Sequence, residues 1–565
     1  MSAVLSLAVL ASGCGSGPQE DDGWEGHLLA GLASEYLSER LAFYPVEATL
    51  AGHHRNDGSL GNFAGEEIET RLLRLRDLRQ RILGLDLTKL PRAEYIDALL
   101  LTNAVKAEIH EIDEVARWKR SPLFYSEIIR SGISSLLSVQ VHSEIQLGSL
   151  LSRLDQIPQL LEAARSNLDS PPRLWVEEGI ADLGRCRRLI QDLPTALGRG
   201  SSPRKLTQLG EKSREAARSI RTFILYLEQE VLPQASPSFA LGEESLVRQL
   251  FYQEMVDTPL DSLRRKGEAF LLEVQAQWEE TAARLESATP SVSLLDTLTG
   301  DHPAASELVP FAEAVIEDVR RFTVEQELVG AVPETLLQAG EMPYVFGDKV
   351  LATQALGRWE DEKVGSVFML AVPPPDWSPG RTNEHLRLLN TRSLRLSIVR
   401  AFGSHLLSLN TRDSEIRKMW ISRAHRDGWK SYFQRLFLEE GYEQDDPLLR
   451  LMLLRQGLVE QCRLLAAIGL HTEEMSLSEA ARLFRDEAYL EPSQAQQEAR
   501  AVAVAPALMY AALGSRLVSE LREDYLDPGD PGRKLRDFHD GFLATGALPM
   551  RLARHALLEA TPSEF

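Results

Sequence analysis

From Trp24 onward, apolar residues recur every three or four positions, the period of helices that bury one face. Leu28, Leu29, Leu32, Tyr36, Leu37 and Leu41 form the first stripe, which stops before Pro45. Ile68, Leu72, Leu75, Leu78 and Ile82 form a second over 66–83. The same period predicts helices over 93–118, 145–167, 174–195, 208–231, 258–285, 308–329 and 446–467, and two more back to back within 391–442. Ser476-Leu477-Ser478-Glu479 has capping-box spacing and opens a helix through Phe484. Gly198 to Pro203 and the Ser/Thr/Pro/Gly stretch 286–305 read as loops. Pro233, Pro237 and Gly242 mark the best internal boundary, separating an N-terminal helical part, 25–235, from a C-terminal part, 236–565.

Between Met342 and Thr382 the texture changes. Tyr344-Val345-Phe346 and Ser366 to Val372 are β-branched and aromatic runs bounded by Gly and Pro, so short strands are expected there. The pattern predicts a mainly α protein: a large single helical body with a deep cleft and a small β-sheet at its rim. At 565 residues, 44% hydrophobic, the chain can fill a large core. The net charge of −21 leaves no basic excess to neutralise phosphates, which argues against nucleic-acid partners.

The first 14 residues, MSAVLSLAVLASGC, run from an apolar stretch into small residues and Cys14. That pattern resembles a bacterial lipobox, in which the cysteine is acylated and becomes the new N-terminus. Residues 15–24 would be a tether. The apolar run is too short to span a bilayer. The expected location is the cell envelope, periplasmic or at the surface, with the chain held to the membrane through a lipid on Cys14. Cys186 and Cys462 either pair or, as the favoured reading, remain buried thiols.

No HExxH, Gly-rich phosphate loop or Gly-x-Ser-x-Gly elbow occurs. The His53-His54 pair diverges too much for a good ligand set, and His110 reads as a surface residue. Two stretches remain. One is Val399-Arg400-Ala401-Phe402-Gly403-Ser404-His405, and the other is Asp427-Gly428-Trp429-Lys430-Ser431-Tyr432-Phe433-Gln434.

These two stretches resemble the HExxPGH and EGWALYxE motifs of a bacterial family, domain of unknown function 885, whose members are thought to be helical zinc-dependent peptidases and are often lipoproteins. The resemblance extends over nearly all of 25–565. It includes Pro45 to Gly52, Arg153-Leu154-Asp155-Gln156-Ile157-Pro158 with Asn167, and Phe538-His539-Asp540 with Gly546 to Pro549. In the aligned motifs Val399 takes the place of the first His and Arg400 that of the Glu. His405 and Tyr432 are retained, Asp427 replaces Glu, and Gln434 replaces the final Glu.

A catalytic zinc needs about three protein ligands and an open position. Val399 cannot ligate, and Arg400 stays protonated and cannot act as a base. The resemblance therefore implies a pseudopeptidase with no catalytic residues and no metal, binding peptides or scaffolding envelope proteins. Val399, Arg400, His405, Asp427 and Tyr432 would be vestigial positions, and Trp429, Arg500, Tyr510 and His539 would line the cleft. Trp429 and Tyr432 lie three apart on one helix face, where core packing is the ordinary role. Two alternatives stay open. One is an active zinc peptidase with displaced ligands, His425 beside His405 among them. The other is a purely structural lipoprotein whose cleft has filled, as Ala507 and Ala511 at polar family positions suggest.

Overall fold

A computed structural model of the chain describes residues 24–137, 144–197, 203–286, 300–333, 337–342, 350–354, 357–360, 365–409, 414–526 and 532–558. Cys14, the tether up to residue 23, the 198–202 loop, most of the 286–305 loop and the strand expected at 344–346 lie outside the described residues. Of the described residues 77% are helical, and three short strands among them form a small sheet. Among the described residues no single helix is long and apolar enough to cross a membrane.

Five helices frame the site: α1 (Leu260–Glu286), α2 (Thr391–Leu409), α3 (Arg423–Glu439), α4 (Pro447–His471) and α5 (Tyr510–Tyr525). The sheet contains β1 (Leu337–Glu341), β2 (Leu351–Gln354) and β3 (Ser366–Leu370), in the order β1-β3-β2. β3 lies in the middle, parallel to β1 and antiparallel to β2. Both its faces are buried, which explains its continuous apolar run. Neither edge strand was legible: Leu337-Gln338-Ala339-Gly340-Glu341 has little β propensity and is held by pairing.

The predicted 93–118 helix ends earlier. It runs Arg92–His110, passes through a π turn, and breaks at Ala116, whose φ of 47° is left-handed. A helix over Pro122–Ser134 follows, which the periodicity did not flag. Its buried Tyr125, Ile129 and Ile133 pack into the N-terminal core. His110 is 2% exposed, not a surface residue, because the helix Glu243–Glu254 covers it and Ser245 bonds its Nε2 at 3.2 Å.

The N-terminal sequence signatures are structural fixtures. Arg153 is fully buried and donates to Thr49 Oγ1 (2.6 Å), the Gly132 carbonyl (2.5 Å) and the Ser59 carbonyl (3.1 Å). Burial lowers its pKa to about 10. Gln156 and Asn167 hold the backbone of Gly58, Leu60 and Phe63. These bonds close the 49–63 loop over the helix Glu144–Asn167.

Three large apolar clusters follow, and two of them cross the 235/236 boundary. The N-terminal cluster takes in Leu548, Leu552 and Ala553 from the C-terminal end. Another joins Leu174 and Trp175 to residues of α1, α4 and α5. The last wraps the sheet, α2 and α3.

Candidate functional site

α2 and α3 meet at Gly403, where a Cβ would lie 2.7 Å from the Phe433 ring. The missing side chain also lets Trp429 Nε1 donate to the Gly403 carbonyl at 2.8 Å. On its other side α3 crosses α5 at Gly428 and Gly514. A Cβ on Gly428 would lie 2.2 Å from the Gly514 carbonyl carbon. Gly403 and Gly428, the glycines of the two stretches, are thus positions of close helix packing.

Trp429 is fully buried and stacks on Phe542 with ring centroids 5.2 Å apart. The Tyr432 hydroxyl lies 2.8 Å from His539 Nε2, and His539 Nδ1 lies 2.7 Å from the Leu328 carbonyl. A carbonyl only accepts, so Nδ1 carries the proton and Nε2 accepts from the phenol. Burial lowers the His539 pKa to about 4, against the Leu328 bond, so the ring is neutral. Tyr510 is fully buried as well, and its hydroxyl donates to Gln253 at 3.2 Å.

Arg500 lies elsewhere, held by Glu178 (2.6 Å) and Glu177 (3.0 Å) at 39% side-chain exposure. The expectation that Trp429, Arg500, Tyr510 and His539 line one cleft is therefore corrected. Three are core residues satisfied by aromatic packing and internal hydrogen bonds. The fourth is an ion-pair partner of a different helix.

The vestigial motif positions also face separate neighbours. Val399 is 1% exposed within the apolar cluster around the sheet. His405 Nδ1 lies 2.6 Å from Ser366 Oγ, which ties α2 to the central strand β3. His425 points away from His405: its Nδ1 bonds the Leu548 carbonyl at 2.8 Å and its ring stacks on Phe542 at 4.1 Å. Burial takes its pKa down to about 3, and Nε2 has no hydrogen-bond partner among the described residues. Asp427 is gripped by Arg426 in two bonds of 3.0 Å and by Lys430 at 3.0 Å. Burial opposes the carboxylate charge, but Arg426 and Lys430 outweigh it and hold the pKa well below the usual range. His54 pairs with Asp57 at 3.0 Å and Glu360 at 3.5 Å. Among the described residues no three or more His, Cys, Asp or Glu are placed to hold a metal ion.

Arg400 is the centre of a polar cluster that the sequence did not announce. Its Nη1 reaches Ser431 Oγ (3.0 Å), Gln434 Oε1 (3.0 Å) and Glu460 Oε1 (3.2 Å). Ser431 donates to Glu460 at 2.8 Å, and Gln456 donates to Gln434 at 2.9 Å. Gln434 Nε2 donates to the Leu396 carbonyl at 2.7 Å. A carboxylate at 434 could not make that last bond, so Gln434 and Arg400 suit each other where two acidic residues would not. The only sequence trace of Glu460 is that it is the one acidic residue on α4.

A second missed residue is Glu254, 2% exposed, which caps α3 from another part of the chain. It accepts from Ser422 Oγ and from the backbone N–H of Arg423 (2.9 Å) and Ala424 (3.1 Å). Burial pushes its pKa up to about 7, against those hydrogen bonds. Cys186 and Cys462 are both buried and free, as the favoured reading had them.

Comparison with known proteins gives a family and a fold. The profile of a family described as bacterial protein of unknown function (DUF885) matches residues 45–353 and 403–557. A solved structure from Shewanella oneidensis, described as a "putative lipoprotein of unknown function", superposes with a TM-score of 0.75 at 21% identity, covering 94% of this chain and 99% of that one. A "putative lipoprotein" from Colwellia psychrerythraea superposes with a TM-score of 0.77 at 14% identity, covering 95% and 99%. At these identities the likeness is one of fold. No curated protein matches.

Proposed function

The chain belongs to the DUF885 family of bacterial proteins, and we propose that it is an envelope lipoprotein that keeps a zinc-peptidase-like scaffold without the metal chemistry, serving to bind peptides or scaffold envelope proteins. One observation carries the reading. The polar groups left at the motif positions are engaged elsewhere: Arg400 by Glu460, Gln434 and Ser431, Asp427 by Arg426 and Lys430, and His405 beside Ser366. Arg400, Arg426 and Lys430 put positive charge at and beside the motif positions, and like charge disfavours a dication there. Zinc is needed only if the displaced-ligand alternative holds.

The test is metal content. The protein is dialysed against zinc and its bound metal measured beside His405→Ala. The expected result is no stoichiometric zinc in either. About one zinc per chain, lost in the variant, would sink the reading and make peptide hydrolysis the next assay. The anchor is tested separately. Cys14→Ser is expected to abolish labelling by radioactive palmitate and release the protein from membranes, and unchanged labelling would refute Cys14 as the lipidated residue.

A further inference from the structure

Two cavities adjoin along the groove between α1, α4 and α5. One, of about 320 Å³, is walled by Val256, Leu263, Leu464, Leu513, Leu517 and Met550. The other, of about 280 Å³, is walled by polar residues, among them Ser431, Gln434, Arg435, Gln456 and Ser515. Phe270, Gln461 and Arg516 line both, so the two compartments meet there. The two volumes lie at and just below the lower end of ordinary ligand pockets, about 300–1,000 Å³, and together they pair a mainly apolar chamber with a more polar one.

The polar chamber is lined by four carboxylates, Glu273, Glu439, Glu460 and Glu523, as well as by arginines, and some of its donors have no bonded carboxylate. Most cations around the groove are matched: Arg516 by Glu520, Arg551 by Asp257, Arg522 by Glu439 and Arg400 by Glu460. Arg435 is not. Among the described residues no carboxylate lies within ion-pair distance of it, and its one hydrogen bond goes to Ser519 Oγ at 3.0 Å. Its Nε is buried and unpartnered, and its guanidinium lies 5.7 Å from the Phe270 ring centroid. Glu439 and Glu460 are within electrostatic reach but are bonded to Arg522 and Arg400. Ser515 is 4% exposed and its hydroxyl has no partner among the described residues. Gln461 is 5% exposed, and no hydrogen bond of its amide occurs among the described residues. Buried donors left unmatched are costly, and a ligand that satisfies them recovers that cost.

We infer that this groove binds a carboxylate attached to an apolar chain, the carboxylate on Arg435, Ser515 and Gln461 and the chain beyond Phe270 among Leu263, Leu513 and Leu517. A cation has no acceptor to offer Arg435, Ser515 or Gln461. A purely polar anion would leave the apolar chamber unfilled. The chemistry is shared by a free fatty acid and by the C-terminus of an apolar peptide. The inference does not rest on the metal question, since none of these groups is a motif position.

Isothermal titration of the whole protein tests it with dodecanoate below its micellar concentration, dodecyltrimethylammonium, acetate, and N-acetyl-trileucine as free acid and as amide. The two apolar carboxylates are expected to bind, and the ammonium, acetate and amide to bind at least about tenfold more weakly. Arg435→Gln should weaken the carboxylates by at least about tenfold with an unchanged melting temperature. Leu517→Trp, which fills the apolar chamber, should do the same. Tighter dodecanoate would identify a lipid-derived source, and tighter trileucine a peptide end. Binding of neither carboxylate, equal binding of the ammonium, or binding untouched by both variants would overturn the proposal.

Discussion

Glu254 offers the sharpest quantitative test of how the fold is held. It is the last residue of the Glu243–Glu254 helix, followed by Met255 at a φ of 53° that turns the chain away. Its carboxyl is buried against the first turn of α3, where the helix dipole and three donors favour the charged form. Burial wins, and the pKa rises from 4.5 to about 7. The folded chain therefore holds a proton between those values that the unfolded chain has released. Stability from this group is fully present below pH 4.5 and is lost as pH rises through about 7. At about 1.4 kcal/mol per pH unit, the loss is about 3 kcal/mol.

The pH dependence of the whole protein will not show this directly. His425, His471 and His539 are held by burial to about 3, 4 and 4, so they lose stability in the opposite sense, as pH falls below 6.5. Glu254→Gln isolates the term. With its oxygen in the place of Oε1 the amide still accepts from the Arg423 N–H and its NH₂ can donate to Ser422 Oγ, while the Ala424 N–H loses its acceptor at a cost that does not change with pH. Urea midpoints of both proteins at about pH 5 and about pH 8.5 give the comparison. The variant should gain about 3 kcal/mol on the parent between the two pH values. An offset constant to within about 0.5 kcal/mol would mean that Glu254 titrates normally, and the argument from its burial would fail.

Other consequences follow from single contacts. Gly514→Ala would place a Cβ 1.8 Å from the Ala424 carbonyl oxygen, a backbone atom that cannot rotate away. A loss of about 3 kcal/mol or more by thermal denaturation is expected, and a loss under about 0.5 would refute the close crossing of α3 and α5. Arg400→Ala leaves the Glu460 carboxylate, 8% exposed, without its cation. Because Arg400 is itself 29% exposed, the expected cost is about 2 kcal/mol rather than the about 3–5 of a fully buried pair. Adding Glu460→Gln should restore part of it, and additivity in that cycle would show that the two do not interact. Cys186 and Cys462 should resist thiol reagents in the folded protein, since burial pushes the Cys186 thiol up to about 12 and Cys462 in the same direction. Rapid labelling without denaturant would contradict their burial.

Much of this protein is written in its local sequence. Helices such as α1 and α4, the capping box at Ser476 and the β-branched run of β3 follow from periodicity and capping, which depend on near neighbours alone. The family was legible too, because its signatures are short and keep their spacing. What each signature does was decided by contacts between residues far apart in the chain. Arg153 bonds Thr49, Tyr432 bonds His539, Arg400 meets Glu460, and Glu254 caps a helix that starts after Ser422. No local pattern records such pairings. Trp429, Tyr510 and His539, polar-tipped residues near the motifs, could have lined a cleft or filled a core, and only the packing of α3 and α5 at Gly428 and Gly514 buries them. The same holds for Arg435, which on paper is one more arginine on a helix. The tertiary structure leaves it without a carboxylate among the described residues, because Glu439 and Glu460 are bonded to Arg522 and Arg400. Charge balance of that kind is a property of three-dimensional neighbours, and composition does not carry it.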